Sequence, residues 1–221
     1  MSAARTREGA PAPTPTELVR GPAMVLALLL TGAVAVLAAA SGRMFAPRAI
    51  PSLPEYGALP DFSLMDHERR PVSLGALAGS VWIADFIFTR CAGQCPIMSR
   101  RMAELQQAFA GVAGIRFLSF TVDPSYDTPD ILAAYARRYG ASDGRWRFVT
   151  GAPDAIAALA RDGFRLAFGA GGTAEEPITH SVRLVLVDPQ GRIRGYYDAS
   201  EKGAMERLRR DAQRLLPQGS S

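Results

Sequence analysis

The sequence predicts an α/β domain in which helices pack on a mixed β-sheet to form three layers, preceded by one transmembrane helix. Residues 81–88 form a nearly continuous apolar run, which is typical of a strand buried in the middle of a sheet. Strand patterns and helix patterns then alternate along the chain, as they do in layered α/β folds. The transmembrane helix is predicted from residues 21–42, which contain no charged side chain.

The N-terminal part of the chain is predicted to place the domain outside the cytoplasm. We expect a disordered cytoplasmic tail (residues 1–20), a single-pass anchor (21–42) and a proline-rich linker (43–57). The uncharged segment exceeds the roughly 7–15 apolar residues of a signal peptide, although cleavage after the small residues 38–40 is the alternative. In both cases residues 58–217 form a globular domain on the periplasmic side of a bacterial-type inner membrane.

The predicted elements of this domain follow from apolar periodicity, with turn residues between them. In chain order they are strands at residues 61–64, 70–74 and 81–88, a helix after Pro96, a strand at 115–122, a helix from Pro129, a strand at 147–150, a helix at 153–161, a flexible loop at 164–178, strands at 181–187 and 192–197, and a helix at 205–216. Thr128 is a predicted N-cap, since a hydroxyl side chain precedes a proline there.

Composition excludes several classes of protein. The 221 residues include only 2 cysteines, too few for a disulfide-rich miniprotein, and the formal net charge is +4. Lys202 is the only lysine among the 25 basic residues, and the arginines are scattered along the chain. Because nucleic-acid binding depends on basic residues clustered on one face, we expect no nucleic-acid partner.

Both cysteines lie where the buried strand is followed by a helix. Cys91 and Cys95 are four residues apart, and Pro96 suits the first turn of that helix. A helix N-terminus stabilises thiolates, and this spacing puts both sulfurs on one face of a helical turn. Their Cα atoms would be about 6 Å apart, which is compatible with a disulfide. The same pair could instead bind one metal ion, so redox and metal-binding chemistry are both open.

The histidines are the candidates for a third ligand. His67 lies in a polar turn and is expected to be solvated, whereas His180 follows a glycine-rich stretch just before a strand. Two thiolates and one imidazole suit copper in either oxidation state, whereas a structural zinc site needs four ligands.

Four further side chains follow these motifs. Asp123 directly follows the strand at 115–122, on the side where the cysteines should emerge, and Asp127 is expected to belong to the cap of the next helix. Met98 and Met102 follow the cysteines at helical spacing and are expected to fill the core rather than bind copper.

Three motifs, in this order, resemble those of the Sco/SenC family of copper proteins, and the likeness extends over about residues 58–216. They are FTRCAGQCP at residues 88–96, TVDPSYDTP at 121–129 and THS at 179–181. Ala92 and Gly93 replace a proline and a polar residue that many members carry, which could change the redox potential without removing a ligand.

The resemblance implies a membrane anchor, a thioredoxin-like fold, and copper, as Cu(I) or Cu(II), bound by Cys91, Cys95 and His180. It implies that the loop carrying His180 approaches the cysteines, and that Asp123 lies near the metal and supports its ligands. The implied function is a chaperone that delivers copper to the dinuclear copper site of a cytochrome c oxidase. Its partner would be the copper-bearing oxidase subunit, or another periplasmic copper donor or acceptor.

Two alternatives use the same cysteines. A membrane-tethered thiol–disulfide reductase would keep the cysteines of the oxidase copper site reduced, with Cys91 attacking and Cys95 resolving the mixed disulfide. Copper sensing or peroxide defence is the other, with Thr89 and Arg90 beside a reactive Cys91.

Overall fold

A computed structural model of the chain describes Leu26, Leu29 and residues 52–141, 144–166, 168–170 and 178–217, the side chains of 168–170 and 178–180 excepted. The chain divides into two compact units, Met1–Pro51 and Ser52–Ser221. Leu26 and Leu29 are helical, and the rest of the predicted transmembrane segment lies outside the described residues. Within the described part, no helix is both long enough and apolar enough to cross a bilayer.

The second unit alternates strands and helices, which confirms the predicted α/β class. The strands are β1 (Gly57–Ala58), β2 (Ser63–Asp66), β3 (Pro71–Ser73), β4 (Val81–Ile87), β5 (Ile115–Thr121), β6 (Trp146–Thr150), β7 (Phe168–Ala170), β8 (Ile178–His180), β9 (Arg183–Val187) and β10 (Arg192–Asp198). The helices are α1 (Leu74–Leu77), α2 (Cys95–Ala108), α3 (Pro129–Arg138), α4 (Pro153–Ala158) and α5 (Ala204–Leu215). A π-helical turn, Leu159–Gly163, continues α4.

The main sheet is mixed, as predicted. Its strand order is β1-β10-β9-β4-β5-β6-β2-β3, with β4, β5 and β6 parallel and the other pairs antiparallel. Every residue of β4 is buried, so this strand is covered on both faces of the sheet, as the apolar run predicted. Ile87 pairs with Thr121, and β4 and β5 therefore end together at one edge of the sheet.

Aromatic rings fill the core between the sheet and the helices. Phe86 stacks on Phe120 with ring centroids 5.2 Å apart, and Phe164 contacts both rings at 5.1 and 5.6 Å. Burying one such ring contributes about 2–3 kcal/mol to stability. Met98 and Met102 are fully buried in the same core, which confirms that they serve in packing.

The local signals for turns and caps are confirmed by their hydrogen bonds. Thr128 Oγ1 accepts a hydrogen bond from the Ile131 amide at 3.4 Å, and Pro129 is the first residue of α3. In the turn between β9 and β10, the Asp188 carboxylate accepts from the amides of Gln190 and Arg192, each at 3.0 Å.

Residues 164–178 differ from the prediction of a flexible loop. Strand β7 lies in this segment and pairs antiparallel with β8, which begins at residue 178, so that Phe168 is opposite His180; residues 171–177 lie outside the described part. The glycines of this segment weaken any alternating pattern, so the short strands gave no recognisable signal. Strand β1 was also missed, because a strand of two residues has no periodicity to detect.

Candidate functional site

The candidate site lies where two loops leave the same edge of the sheet. The first loop, residues 88–94, connects β4 to α2, and the second, residues 122–128, connects β5 to α3. Because β4 and β5 are adjacent and parallel, the two loops emerge side by side. The carboxyl ends of parallel strands are a common place for functional groups in α/β proteins.

The structure brings the two cysteines together at the start of α2. Cys95 is the first residue of the helix, and its backbone amide is 3.5 Å from Cys91 Sγ, which accepts a hydrogen bond from it. Both residues are thiols rather than halves of a disulfide. Cys95 is 0% exposed and Cys91 is 6% exposed, so both residues are buried and Cys91 is slightly less buried. The two cysteines are therefore close together, but Cys91 lies in the loop before the helix rather than on the same helical turn as predicted.

The two thiols lie in different environments. Burial raises the pKa of the Cys95 thiol well above its ordinary value, and the neighbouring Cys91 and the carboxylate of Asp85 raise it further. Burial therefore disfavours the thiolate form of Cys95.

Asp85 is an ionisable group that the sequence analysis did not single out. It lies in the middle of β4, is fully buried, and within the described part of the chain neither of its carboxyl oxygens has a hydrogen-bond partner. Burial raises the pKa of Asp85 to about 7, although Ser119 on the paired strand opposes part of this rise. The available signal was a single acidic residue inside an otherwise apolar strand.

Asp127 joins the two loops, which corrects the expectation that it belongs to the cap of α3. Its fully buried carboxylate accepts hydrogen bonds from the amide of Thr89 at 3.1 Å, from the Thr89 hydroxyl, and from the Thr121 hydroxyl at 2.5 Å. Thr128 caps the helix by itself. Burial raises the pKa of Asp127, and the three hydrogen bonds oppose that rise.

Asp123 is held against the loop that carries Cys91. Arg90 donates from Nε to the Asp123 carboxylate at 2.7 Å, and its guanidinium lies 4.7 Å from the ring centroid of Tyr126. The Asp123 amide donates to Thr121 Oγ1 at 3.0 Å, which fixes the backbone of the second loop. Asp123 is thus next to the residue that precedes Cys91, and its role as a support for metal ligands stays a prediction.

The two histidines are placed differently. His180 is the last residue of β8, and its side chain lies outside the described part, so its approach to the cysteines stays a prediction. His67 is half-buried rather than solvated, and its Nδ1 accepts a hydrogen bond from the Phe148 amide at 3.1 Å. Burial lowers the pKa of His67. Among the side chains that the structure describes, no group of three or more His, Cys, Asp or Glu could hold a metal ion.

Known proteins are similar to this chain in sequence and in fold. Residues 54–216 match the profile of the SCO1/SenC family. The SCO1 protein homologue of Bacillus subtilis (strain 168) is 35% identical over 142 residues, which cover 63% of this chain and 73% of that protein. A Stutzerimonas stutzeri protein, named as a candidate copper-binding protein, is 29% identical over 172 residues, covering 75% of this chain and 78% of its own length.

A solved structure gives the same result. BsSco, described as a member of the Sco family of cytochrome c oxidase assembly proteins that has a disulfide switch, superposes with a TM-score of 0.66 at 30% identity. The match covers 76% of this chain and 98% of BsSco.

Proposed function

The chain belongs to the SCO1/SenC family, and from that membership we propose that it is a copper chaperone that serves the assembly of a cytochrome c oxidase. Cys91, Cys95 and His180 bind the copper, and the acceptor is the dinuclear copper site of the oxidase. The observation that carries the proposal is the pair of adjacent thiols at the N-terminus of α2, in a chain whose residues 54–216 match the family.

The chemistry of the donor set supports copper as the cargo. Thiolate sulfur is a soft ligand and favours Cu(I), and an imidazole in addition suits Cu(II). The partial positive charge at the N-terminus of α2 favours the thiolate form that a metal requires. Copper leaves by ligand exchange, in which a thiolate of the acceptor displaces His180 or one cysteine while the metal keeps its oxidation state.

Membrane attachment is part of the proposal. The uncharged residues 21–42 anchor the chain in the cytoplasmic membrane, and the domain works on the periplasmic side, next to the copper-bearing subunit of the oxidase. Fractionation of cells tests this, because an anchored chain is recovered intact with the membranes. A soluble product that begins at Ser41 would show cleavage of a signal peptide instead.

The decisive experiment is a copper titration of the reduced, full-length protein in detergent under anaerobic conditions. We expect one tightly bound copper per chain, lost in Cys91→Ser and Cys95→Ser. His180→Ala should weaken Cu(II) more than Cu(I), because two thiolates can hold Cu(I) in a linear arrangement.

His67→Ala is the matched control, since His67 follows β2, three strands away from β4 in the sheet, and is held by the Phe148 amide. It should leave copper affinity unchanged. Stoichiometric copper in either serine variant, or equal affinities in His180→Ala and the parent protein, would contradict the ligand assignment.

A thiol–disulfide reductase is the second candidate, and the unequal burial of the two thiols favours it. The more exposed Cys91 is suited to attack a disulfide of the acceptor, and the buried Cys95 to resolve the mixed disulfide. Each cycle transfers two electrons and two protons from the dithiol to the acceptor disulfide. Activity that survives in His180→Ala while copper binding is weak would select this function.

A further inference from the structure

We propose that Asp127 is a positioning residue for the dithiol: through Thr89 it fixes the loop that carries Cys91, and so sets how readily Cys91 and Cys95 close to a disulfide. The inference rests on the proposed function only in treating these two cysteines as the working pair. It concerns a side chain that acts on the dithiol through the loop, by its hydrogen bonds to Thr89.

The geometry connects Asp127 directly to the first loop. Its carboxylate accepts two hydrogen bonds from Thr89, one from the backbone amide at 3.1 Å and one from the hydroxyl. Thr89 lies two residues before Cys91 and two residues after Ile87, the last residue of β4. The path of the chain into Cys91 is therefore determined at a buried carboxylate.

Asp127 is itself held in place from the other strand. The Thr121 hydroxyl, at the end of β5, donates to the same carboxylate at 2.5 Å, and the Asp127 amide donates to the Asp123 carbonyl at 2.8 Å. The carboxylate thus joins the ends of two adjacent parallel strands. Burying a carboxylate is costly unless several donors compensate it, and here two of the three donors belong to the loop of Cys91.

Fixing this loop keeps the two thiols close to each other, which favours formation of the disulfide between them. Closing the disulfide removes one hydrogen from each thiol, so two electrons and two protons pass to the oxidant, and one S–S bond forms. With oxidised dithiothreitol as the oxidant, its disulfide opens to two thiols. A loop that holds Cys91 Sγ 3.5 Å from the Cys95 amide keeps the sulfurs close together, which raises the equilibrium constant for closure.

Thr89→Val tests this inference, because valine keeps the shape of threonine and removes only the hydroxyl bond to Asp127. The full-length protein, freed of metal by a chelator, is equilibrated with dithiothreitol buffers, and the fraction of disulfide is measured by thiol labelling. We expect closure to become about tenfold less favourable, which is an upward shift of the reduction potential of about 30 mV. Thr89→Ser restores the hydroxyl and should restore the potential of the parent protein.

Thr128→Val is the matched control for stability. It removes the side-chain cap of α3 one residue after Asp127, and so costs stability without touching the loop of Cys91. An unchanged potential in Thr89→Val, or an equal shift in Thr128→Val, would overturn the inference. If Thr89→Val does not fold, Asp127→Asn, which keeps the size of the side chain, must shift the potential in the same direction.

The outcome is independent of copper. If the parent protein binds no copper but Thr89→Val raises the reduction potential as expected, the chaperone proposal fails and the role of Asp127 stands. If the parent protein binds copper tightly but the reduction potential does not shift in Thr89→Val, the role of Asp127 fails and the chaperone proposal stands.

Discussion

Asp85→Asn should change how the stability of the domain depends on pH. Burial raises the pKa of Asp85 from 3.8 to about 7 in the folded protein, whereas in the unfolded chain the group ionises near its ordinary value. Between these two values the folded state retains a proton that the unfolded state has lost. The contribution of Asp85 to stability is therefore lost as the pH rises from about 4 to about 7, and the loss persists above that range.

The size of this effect follows from the same two values. A difference of about 3 pKa units at about 1.4 kcal/mol per unit amounts to about 4 kcal/mol. Asparagine has the shape of a protonated aspartate and does not titrate. The variant and the parent protein should therefore have similar free energies of unfolding at about pH 4, and the variant should be more stable at pH 8, by up to about 4 kcal/mol.

Urea denaturation of the reduced protein at a series of pH values measures this difference, and groups common to both proteins cancel in the comparison. Asp130→Asn is the control, because Asp130 is exposed and its ion pair with Arg69 lies at the surface. Parallel pH profiles for Asp85→Asn and the parent, or a less stable variant at pH 8, would show that Asp85 is solvated or paired in solution.

Two further predictions concern stability. The first concerns Asp188. Burial alone would raise the pKa of Asp188, but hydrogen bonds from the Arg192 backbone and the Arg194 side chain outweigh burial and lower this pKa. The ionised carboxylate therefore stabilises the fold at neutral pH, and this stabilisation is lost as the pH falls below about 4. Asp188→Asn should cost about 2 kcal/mol at pH 7 in urea denaturation and lose less on acidification; an acid profile as steep as that of the parent would contradict this. Thr128→Ala should cost about 1 kcal/mol through loss of the cap, seen as a lower melting temperature, and an unchanged melting temperature would mean that the cap contributes nothing.

Most of the fold could be predicted because its elements carry strong local signals. The fully buried β4 is a continuous apolar run, Thr128 and Pro129 mark the start of α3, and Asp188 marks a tight turn. Strands β7 and β8 could not be predicted in this way. They are three residues each, and their stability depends on pairing with each other rather than on a periodic pattern.

The candidate site was predictable to a lesser degree. The spacing of Cys91 and Cys95 indicated that the two residues meet near the start of a helix, but the helical i,i+4 arrangement was wrong, because Cys91 lies in the loop and the helix begins at Cys95. The role of Asp127 was not predictable from its neighbours, since Thr89 lies 38 residues earlier and meets it only through the pairing of β4 with β5. The burial of Asp85 was not recognised for a different reason: one acidic residue does not interrupt an apolar pattern.

The edge at which β4 and β5 end also bears on how such a protein can evolve. The hydrogen-bond ladder between them stops at Ile87 and Thr121, and the residues of the site lie beyond it. Substitutions at the exposed positions of the two loops, such as residues 92–94 and 125–126, therefore leave the strand register unchanged, whereas Phe88 and Val122 belong to the core. The chemistry of the site can therefore change during evolution while the sheet is retained. The hydrogen bonds between Thr89 and Asp127 limit such changes, because they connect the two loops.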